Sequence, residues 1–169
     1  MKPADQRAEA QIRTLSEKKL VGIRMTMSLA QNQTYQLWSS FMPRRREILN
    51  NRGTDLYSVQ LYNADFNFIE FDPSATFEKW AAIEVVNFET VPDHMETLII
   101  PEGLYAVFIH KGPASEGERT FRYIFGTWLP HSQYEADNRP HFEILGAKYK
   151  NNDPDSEEEV WIPIKLRKQ

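Results

Sequence analysis

Apolar and polar residues alternate along much of this chain, and in two stretches the apolar residues instead recur three and four positions apart. Alternation is typical of strands, and the wider spacing is typical of a helix with one buried face. Helices are therefore predicted at about residues 34–47 and 116–129, the second starting with a capping box at Ser115-Glu116-Gly117-Glu118. The predicted strands cover residues 19–28, 56–62, 81–87, 97–100, 103–111, 141–147 and 160–166.

The chain contains two similar halves. Leu37–Pro43 matches Ile124–Pro130 in size and polarity at nearly every position, which indicates an internal duplication. Each half has the order strand, helix, strand, strand. This order predicts an α+β fold with one largely antiparallel sheet, two main helices on one side of it and a groove at the pseudo-twofold axis. Residues 1–18 lack a periodic apolar signal and are predicted to be a polar lead-in, so residues 19–169 form one domain with repeats at about 19–100 and 101–169.

The last predicted strand of each half points different residue types to its two sides, because alternate side chains of a strand lie on opposite faces. Aligning Trp80 with Trp161 gives one set that we expect against the helices: Ile83, Val85, Ile164 and Leu166. The other set would lie on the helix-free face: Trp80, Ala82, Glu84, Glu159, Trp161 and Pro163. A face with aromatic rings and carboxylates could line a cleft between the halves. A slip of the register by one residue would exchange the two faces.

Composition excludes several classes of function. The chain has no cysteine, which rules out disulfides, thiolate nucleophiles and cysteine-ligated metals. Its net charge of −4 argues against a general nucleic-acid binder, and Arg44-Arg45-Arg46 fits a solvated helix end. The 4 histidines lack ligand spacing and no nucleotide fingerprint is visible, so no metal and no cofactor are expected. Residues 1–19 are polar and no later segment reaches the ~20 apolar residues of a membrane span, so we expect a cytoplasmic protein without membrane contact.

Five stretches together resemble a known family in order and spacing, over about residues 19–166. They are Asn32–Trp38 with Phe41–Arg45, Phe77–Ala81, Gly126–Pro130, Arg139–Glu143 and Glu158–Lys165. The resemblance is to the gyrase-inhibitor-like family, the effector-binding domain of AraC-type regulators. It implies a duplicated strand-helix-strand-strand fold with a ligand groove at the pseudo-twofold, and a last-strand glutamate, here Glu159, that faces cationic or aromatic ligands. Many family members follow a DNA-binding helix-turn-helix, for which this chain has no room, so no direct DNA binding is expected.

Eight residues are predicted to bind the ligand: Glu159, Trp161, Trp80, Glu84, Glu143, Tyr62, Tyr105 and Phe108. The strand pattern does not decide which face Tyr62, Tyr105 and Phe108 occupy. Each of the others also has a structural interpretation. The tryptophans could fill the core, Glu143 could cross-pair with a basic neighbour, and Glu159 could be a solvated member of the acidic stretch 153–159.

The favoured function is the binding or sensing of a small aromatic molecule that can be cationic, with stacking and cation–π contacts to Trp80 and Trp161 and Glu159 as the counter-charge. Two alternatives stay open. The resemblance also implies a hydrolase of strained cyclopropane-containing toxins, in which Glu159 or Glu143 would be the general acid or base. The third is an inhibitor that covers a protein partner such as gyrase, with the acidic stretch 153–159 facing a basic surface.

Overall fold

One curled antiparallel sheet dominates the computed structural model, which describes residues 10–70, 72–150 and 153–168. Its strands in chain order are β1 Gln11–Leu15, β2 Lys18–Ser28, β3 Asn51–Leu61, β4 Thr76–Val85, β5 Glu96–Ile100, β6 Gly103–Lys111, β7 Tyr134–Ala136, β8 His141–Leu145 and β9 Glu157–Leu166. They are ordered β1-β6-β9-β8-β3-β4-β2-β5 across the sheet, with β7 paired to β9. The predicted α+β class is confirmed.

Each half carries one short helix that changes its winding towards its end. Helix α1, Thr34–Phe41, continues as a 3-10 turn over Met42–Glu47, where Pro43 at the start has no N–H to donate. Helix α2, Gly117–Tyr123, follows a 3-10 turn and continues as a π-helical turn over Ile124–Trp128. Both predicted helices are confirmed.

The predicted capping box at the start of α2 is wrong. The N-cap is Glu116, and no side chain caps the helix. The carboxylates instead bind cations, because Glu116 accepts a hydrogen bond from Arg119 at 2.8 Å and Glu118 accepts one from Arg122 at 2.7 Å. These local pairs leave the first helical N–H groups without a side-chain cap.

The two helices bury their apolar residues on the same face of the sheet. Leu37 and Phe41 of α1 pack in a cluster with the β2 and β4 side chains of that face, including Ile83 and Val85. The cluster under α2 contains Ala106, Phe108, Ile124, Phe125, Ile162 and Ile164. Three of the four residues expected against the helices therefore lie there. Leu166 is an exception, since it is 63% exposed at the end of β9.

The order of the strands puts the boundary between the halves before β5 rather than at about residue 100, because β5 precedes β6 as β1 precedes β2. With this boundary, the short strands β1 and β5 are exchanged between the halves. β1 precedes β2 in the chain but pairs with β6, and β5 precedes β6 but pairs with β2. Both ladders follow one register, since Leu15 faces Gly103 and Lys18 faces Ile100. Assigning residues 11–15 to a polar lead-in was therefore wrong, because a five-residue edge strand with one buried side chain, Leu15, carries no periodic signal. Residues 1–9 of that prediction lie outside the described residues.

The helix-free face holds a core of its own, which we call the inner cluster. It consists of Leu15, Leu20, Tyr57, Val59, Trp80, Ala82, Ile100, Tyr105, Val107, Phe142 and Trp161. These residues come from every strand except β7, so the sheet has to curl around them. The two halves meet at the pairing of β3 with β8, where Ser58 faces Glu143 and Gln60 faces His141.

Candidate functional site

The inner cluster contains the two tryptophans that were expected on the helix-free face. The Trp161 ring stacks on Phe142, with centroids 5.3 Å apart and planes at 14°, and Tyr105 meets it edge-on at 5.9 Å. Only 3% of Trp80 and 6% of Trp161 is exposed. These rings contact one another as core residues do.

The carboxylates on this face accept hydrogen bonds from side chains of the protein. The Trp161 indole donates from Nε1 to Glu159 at 2.9 Å, and the Trp80 indole donates to Glu78 at 2.7 Å. Each tryptophan therefore binds the glutamate two residues before it, which supports the alignment of Trp80 with Trp161. Glu84 accepts hydrogen bonds from Tyr57 Oη at 3.3 Å and from Lys18 Nζ at 3.2 Å. The sequence analysis missed Glu78, because the predicted strand began after it.

Three of the eight predicted site residues lie on the opposite, helix-bearing face. Phe108 is 1% exposed in the cluster under α2, where Trp128 meets its ring edge-on at 5.2 Å. Tyr62 joins the cluster under α1, and Glu143 lies on β8 beside the inward-facing Phe142 but points the other way. The structure thus brings together Trp80, Glu84, Tyr105, Glu159 and Trp161, and separates them from Tyr62, Phe108 and Glu143.

Polar side chains gather on the helix-bearing face where β3 meets β8. We call this group the seam site: Ser58, Gln60, Tyr62, Lys79, His141, Glu143 and Glu158. At its centre, Gln60 donates from Nε2 to Glu143 Oε1 at 3.1 Å and to Ser58 Oγ at 3.1 Å. Gln60 and Ser58 are buried, whereas Glu143 is half-buried.

The charge on Glu143 is poorly compensated. Burial raises the pKa of Glu143 to about 7, the charge of Glu158 adds to the rise, and Lys79 opposes it. Burial also raises the pKa of Glu158 and lowers that of Lys79. The Lys79 ammonium donates to Thr34 Oγ1 at 3.2 Å. Among the ion pairs of the described residues, none includes Lys79, Glu143 or Glu158.

Aromatic rings adjoin this carboxylate. Tyr62 contacts His141 edge-on with centroids 4.9 Å apart, and Phe125 of the α2 half faces His141 at 6.0 Å. Burial and the charge of Arg139 lower the pKa of His141 to about 3, so its ring is neutral at physiological pH. Phe68, from the segment between β3 and β4, lies among these rings. Two open clefts of about 340 and 310 Å³ border the same segment and share Asn63 and Thr76 in their linings.

A half-buried carboxylate beside π faces suits an aromatic cation, because the rings attract the cation's charge and stack on its aryl groups. In the described part of the chain, no group of three or more His, Asp or Glu side chains could hold a metal ion. No helix among these same residues is long and apolar enough to cross a membrane.

The sequence patterns did not point to Ser58, Gln60, Lys79, His141 and Glu158 of the seam site, nor to Phe68 above it. For Lys79 a signal exists in the strand alternation, because Phe77 and Ala81 are buried two residues away on the same face of its strand. The other four strand residues have no buried apolar residue two positions away, so the alternation carries no such signal for them. For Phe68, the Phe-x-Phe spacing of Phe66 and Phe68 inside an otherwise polar segment is the available signal.

Comparison with protein families finds one match across nearly the whole chain. A family model described as the GyrI-like small molecule binding domain matches residues 8–165. Among curated proteins, the chain is 28% identical over 130 residues to the transcriptional regulator BrlR of Pseudomonas aeruginosa. That alignment covers 76% of this chain and 45% of the relative, so the chain corresponds to less than half of BrlR.

Solved structures share the fold at lower identity. The structure of SAV2435 bound to tetraphenylphosphonium superposes with a TM-score of 0.70 at 17% identity, covering 93% of this chain and 94% of that one. The crystal structure of the EcmrR C-terminal domain superposes with a TM-score of 0.68 at 19% identity, covering 95% of this chain and 99% of that one.

Proposed function

Because the chain belongs to the GyrI-like small molecule binding domain family, we propose that it binds a small aromatic cation at the seam site, with Glu143 as the counter-charge. One observation carries the proposal. Glu143 is a half-buried carboxylate at the junction of the two halves, it interacts electrostatically with Tyr62, and its hydrogen-bond donors, Gln60 and Ser58, are neutral. A cation would supply the charge that this carboxylate lacks.

The sequence favoured Glu159 for this role, whereas the packing of the two faces favours Glu143. Glu159 already accepts the Trp161 indole N–H, and an equivalent bond joins Trp80 to Glu78 in the other half. A ligand on the helix-free face would have to separate rings that pack as a core, which costs the contacts they make. On the helix-bearing face, Tyr62 of the seam site lines one open cleft, and the loop ring that meets it edge-on, Phe68, is half-buried.

The ligand class follows from the same chemistry. Glu143 selects a positive charge, and the neighbouring Tyr62, Phe125 and neutral His141 rings select aryl groups. The likeness in fold to SAV2435, which was solved with tetraphenylphosphonium, supports the choice of that cation as the probe.

The test compares two matched variants, Glu143→Gln and Glu159→Gln, by calorimetric titration at pH 8 with tetraphenylphosphonium and with neutral triphenylphosphine oxide. We expect Glu143→Gln to lose ~1.5–3 kcal/mol of binding free energy for the cation, the range for hydrogen bonds to charged groups. That is about tenfold to a hundredfold in Kd. The neutral compound should bind the wild type and this variant alike, because no charge interaction is lost.

Glu159→Gln is the control and should bind both compounds as the wild type does. A loss of cation affinity in Glu159→Gln with none in Glu143→Gln would place the site on the helix-free face and overturn the proposal. Binding of the cation by neither the wild type nor either variant would overturn it as well.

A second candidate, hydrolysis of strained cyclopropane-containing compounds, is favoured by the Glu143 pKa of about 7. A carboxyl group with that pKa can take up and release a proton near neutral pH, as a general acid or base must. The test is incubation with an aryl cyclopropane and detection of the ring-opened product by mass spectrometry. Turnover by the wild type that Glu143→Gln abolishes, while binding persists, would identify the chain as an enzyme.

A further inference from the structure

The segment between β3 and β4 lies over the seam site. Residues 63–70 are mostly polar and exposed, but Phe66 and Phe68 are half-buried. The Asn67 side chain accepts the backbone N–H groups of Ile69 and Glu70, both at 2.9 Å, which fixes the turn that directs Phe68 towards the sheet. A loop that belongs to the first half therefore places a phenyl ring against the second.

Phe68 is surrounded by aromatic rings from both halves. Its ring stacks on Phe125 with centroids 4.6 Å apart and planes at 14°, and Tyr62 meets it edge-on at 5.0 Å. His141 lies 5.0 Å away, and Phe121 lies 6.3 Å away. We call the space enclosed by Tyr62, Phe121, Phe125 and His141 the aryl subsite. Stacked and edge-on neighbours are the arrangement that any phenyl group favours, whether it belongs to the protein or to a ligand.

We infer that Phe68 is an internal occupant of the aryl subsite, and that its ring holds the place that an aryl group of the ligand takes. This inference rests on the proposed function, since it concerns the same site. Phe68 is well suited to withdraw, because it is half-buried and comes from a loop rather than from the sheet. The ligand has to displace it, so the apparent affinity is the intrinsic affinity multiplied by the fraction of molecules in which the subsite is open.

The geometry also restricts which aryl cations fit. His141 borders the aryl subsite and Glu143 lies two residues further along the same face of β8, roughly 7 Å away at strand spacing. A ligand that reaches both has its charge next to a phenyl-sized ring. Cations that carry a phenyl or benzyl group directly on the charged atom meet this condition, whereas a cation separated from its ring by a long alkyl chain does not.

The experiment compares Phe68→Ala with Ile69→Ala. Ile69 lies on the same segment, but its side chain is 65% exposed, so it tests for general loosening of the loop. If the filled form outnumbers the open form about tenfold, removing the ring should tighten tetraphenylphosphonium binding by about tenfold. Ile69→Ala should bind like the wild type. Unchanged or weaker binding by Phe68→Ala would overturn the inference, because the ring would then be absent from the ligand's place or would hold the ligand itself.

A second measurement separates this inference from the proposed function. Phe68→Ala empties a phenyl-sized space, so a neutral monocyclic arene such as toluene should bind this variant and not the wild type, as observed by ligand NMR. If toluene binds Phe68→Ala but tetraphenylphosphonium binds no form of the protein, the inference about Phe68 stands and the cation site is refuted. Toluene binding to neither protein would refute the internal occupant, whatever the cation does.

Discussion

The two faces of the sheet carry similar residue types in different circumstances. On the helix-free face, Trp80 and Trp161 pack in the inner cluster, and Glu159 accepts the N–H of Trp161. On the helix-bearing face, Glu143 lies two residues from His141, whose ring contacts Tyr62 and Phe125. Glu143 is half-buried, its pKa is raised by burial, and its hydrogen-bond donors, Gln60 and Ser58, are neutral. Aromatic and acidic composition therefore does not identify a binding face. Both glutamates accept hydrogen bonds from neutral donors, so the difference lies in the packing. The rings beside Glu159 form a buried core, whereas the ring over the seam site belongs to a half-buried loop residue, Phe68.

The largest expected effect is a loss of stability when a core residue of the helix-free face is removed. Trp161→Ala removes a ring that is 6% exposed and stacked on Phe142, so we expect it to lower the free energy of unfolding by ~3–5 kcal/mol. Urea denaturation followed by circular dichroism measures the change. A variant that keeps its stability and loses tetraphenylphosphonium binding would reverse the comparison and make the inner cluster the ligand site.

A smaller effect, opposite in sign, is expected at the seam site. Folding raises the pKa of Glu143 from 4.5 to about 7, so this carboxyl group favours the folded state below pH 4.5 and loses that contribution as the pH rises through 7. Glu143→Gln should therefore raise the free energy of unfolding at pH 8, by about 1–3 kcal/mol after allowance for partial exposure.

The matched variant sharpens this prediction. Glu159→Gln weakens the hydrogen bond from Trp161 and should cost about 0.5–1.5 kcal/mol of stability. Denaturation curves of both variants at pH 5 and pH 8 give the signs. Destabilisation by Glu143→Gln at pH 8 would mean that its charge is already compensated within the protein.

The smallest predicted effect concerns pH and binding. A cation needs ionised Glu143, so tetraphenylphosphonium affinity should rise about tenfold between pH 6 and pH 8, as expected for a pKa of about 7. Triphenylphosphine oxide should bind equally at both values, because it carries no charge. A cation affinity that is flat across this range would exclude Glu143 as the counter-charge.

Much of the fold could be predicted from the sequence, because its signals are local. The match between Leu37–Pro43 and Ile124–Pro130 places both helices, and strand alternation aligns Trp80 with Trp161. The exchange of β1 and β5 could not be predicted, since pairing partners of short edge strands are set by the folded partner strands and not by their own residues. Local sequence patterns therefore predict the helices and strands, but they do not predict which distant strands pair.

For the candidate site, the sequence predicts the types of residue involved but not which individual residues come together. Glu143 and Glu159 are indistinguishable as strand glutamates near aromatics until the packing on each face is known. Lys79 reads as a surface lysine, because its burial depends on α1 covering it from another part of the chain. Phe68 reads as a loop residue, because the rings it meets come from both halves.

The exchanged short strands bear on how the molecule folds and how it arose. Each half lacks an edge strand that the other supplies, so a half produced alone would leave one ladder unpaired, and the complete chain is expected to unfold in a single cooperative step. The pairings join residues about 90 positions apart, such as Gln11 and Val107, which predicts slow folding through a high contact order. Before its duplication, one such half could have satisfied the same pairings by trading its short strand with a second copy, so the present chain has the connectivity of a fused, strand-swapped homodimer.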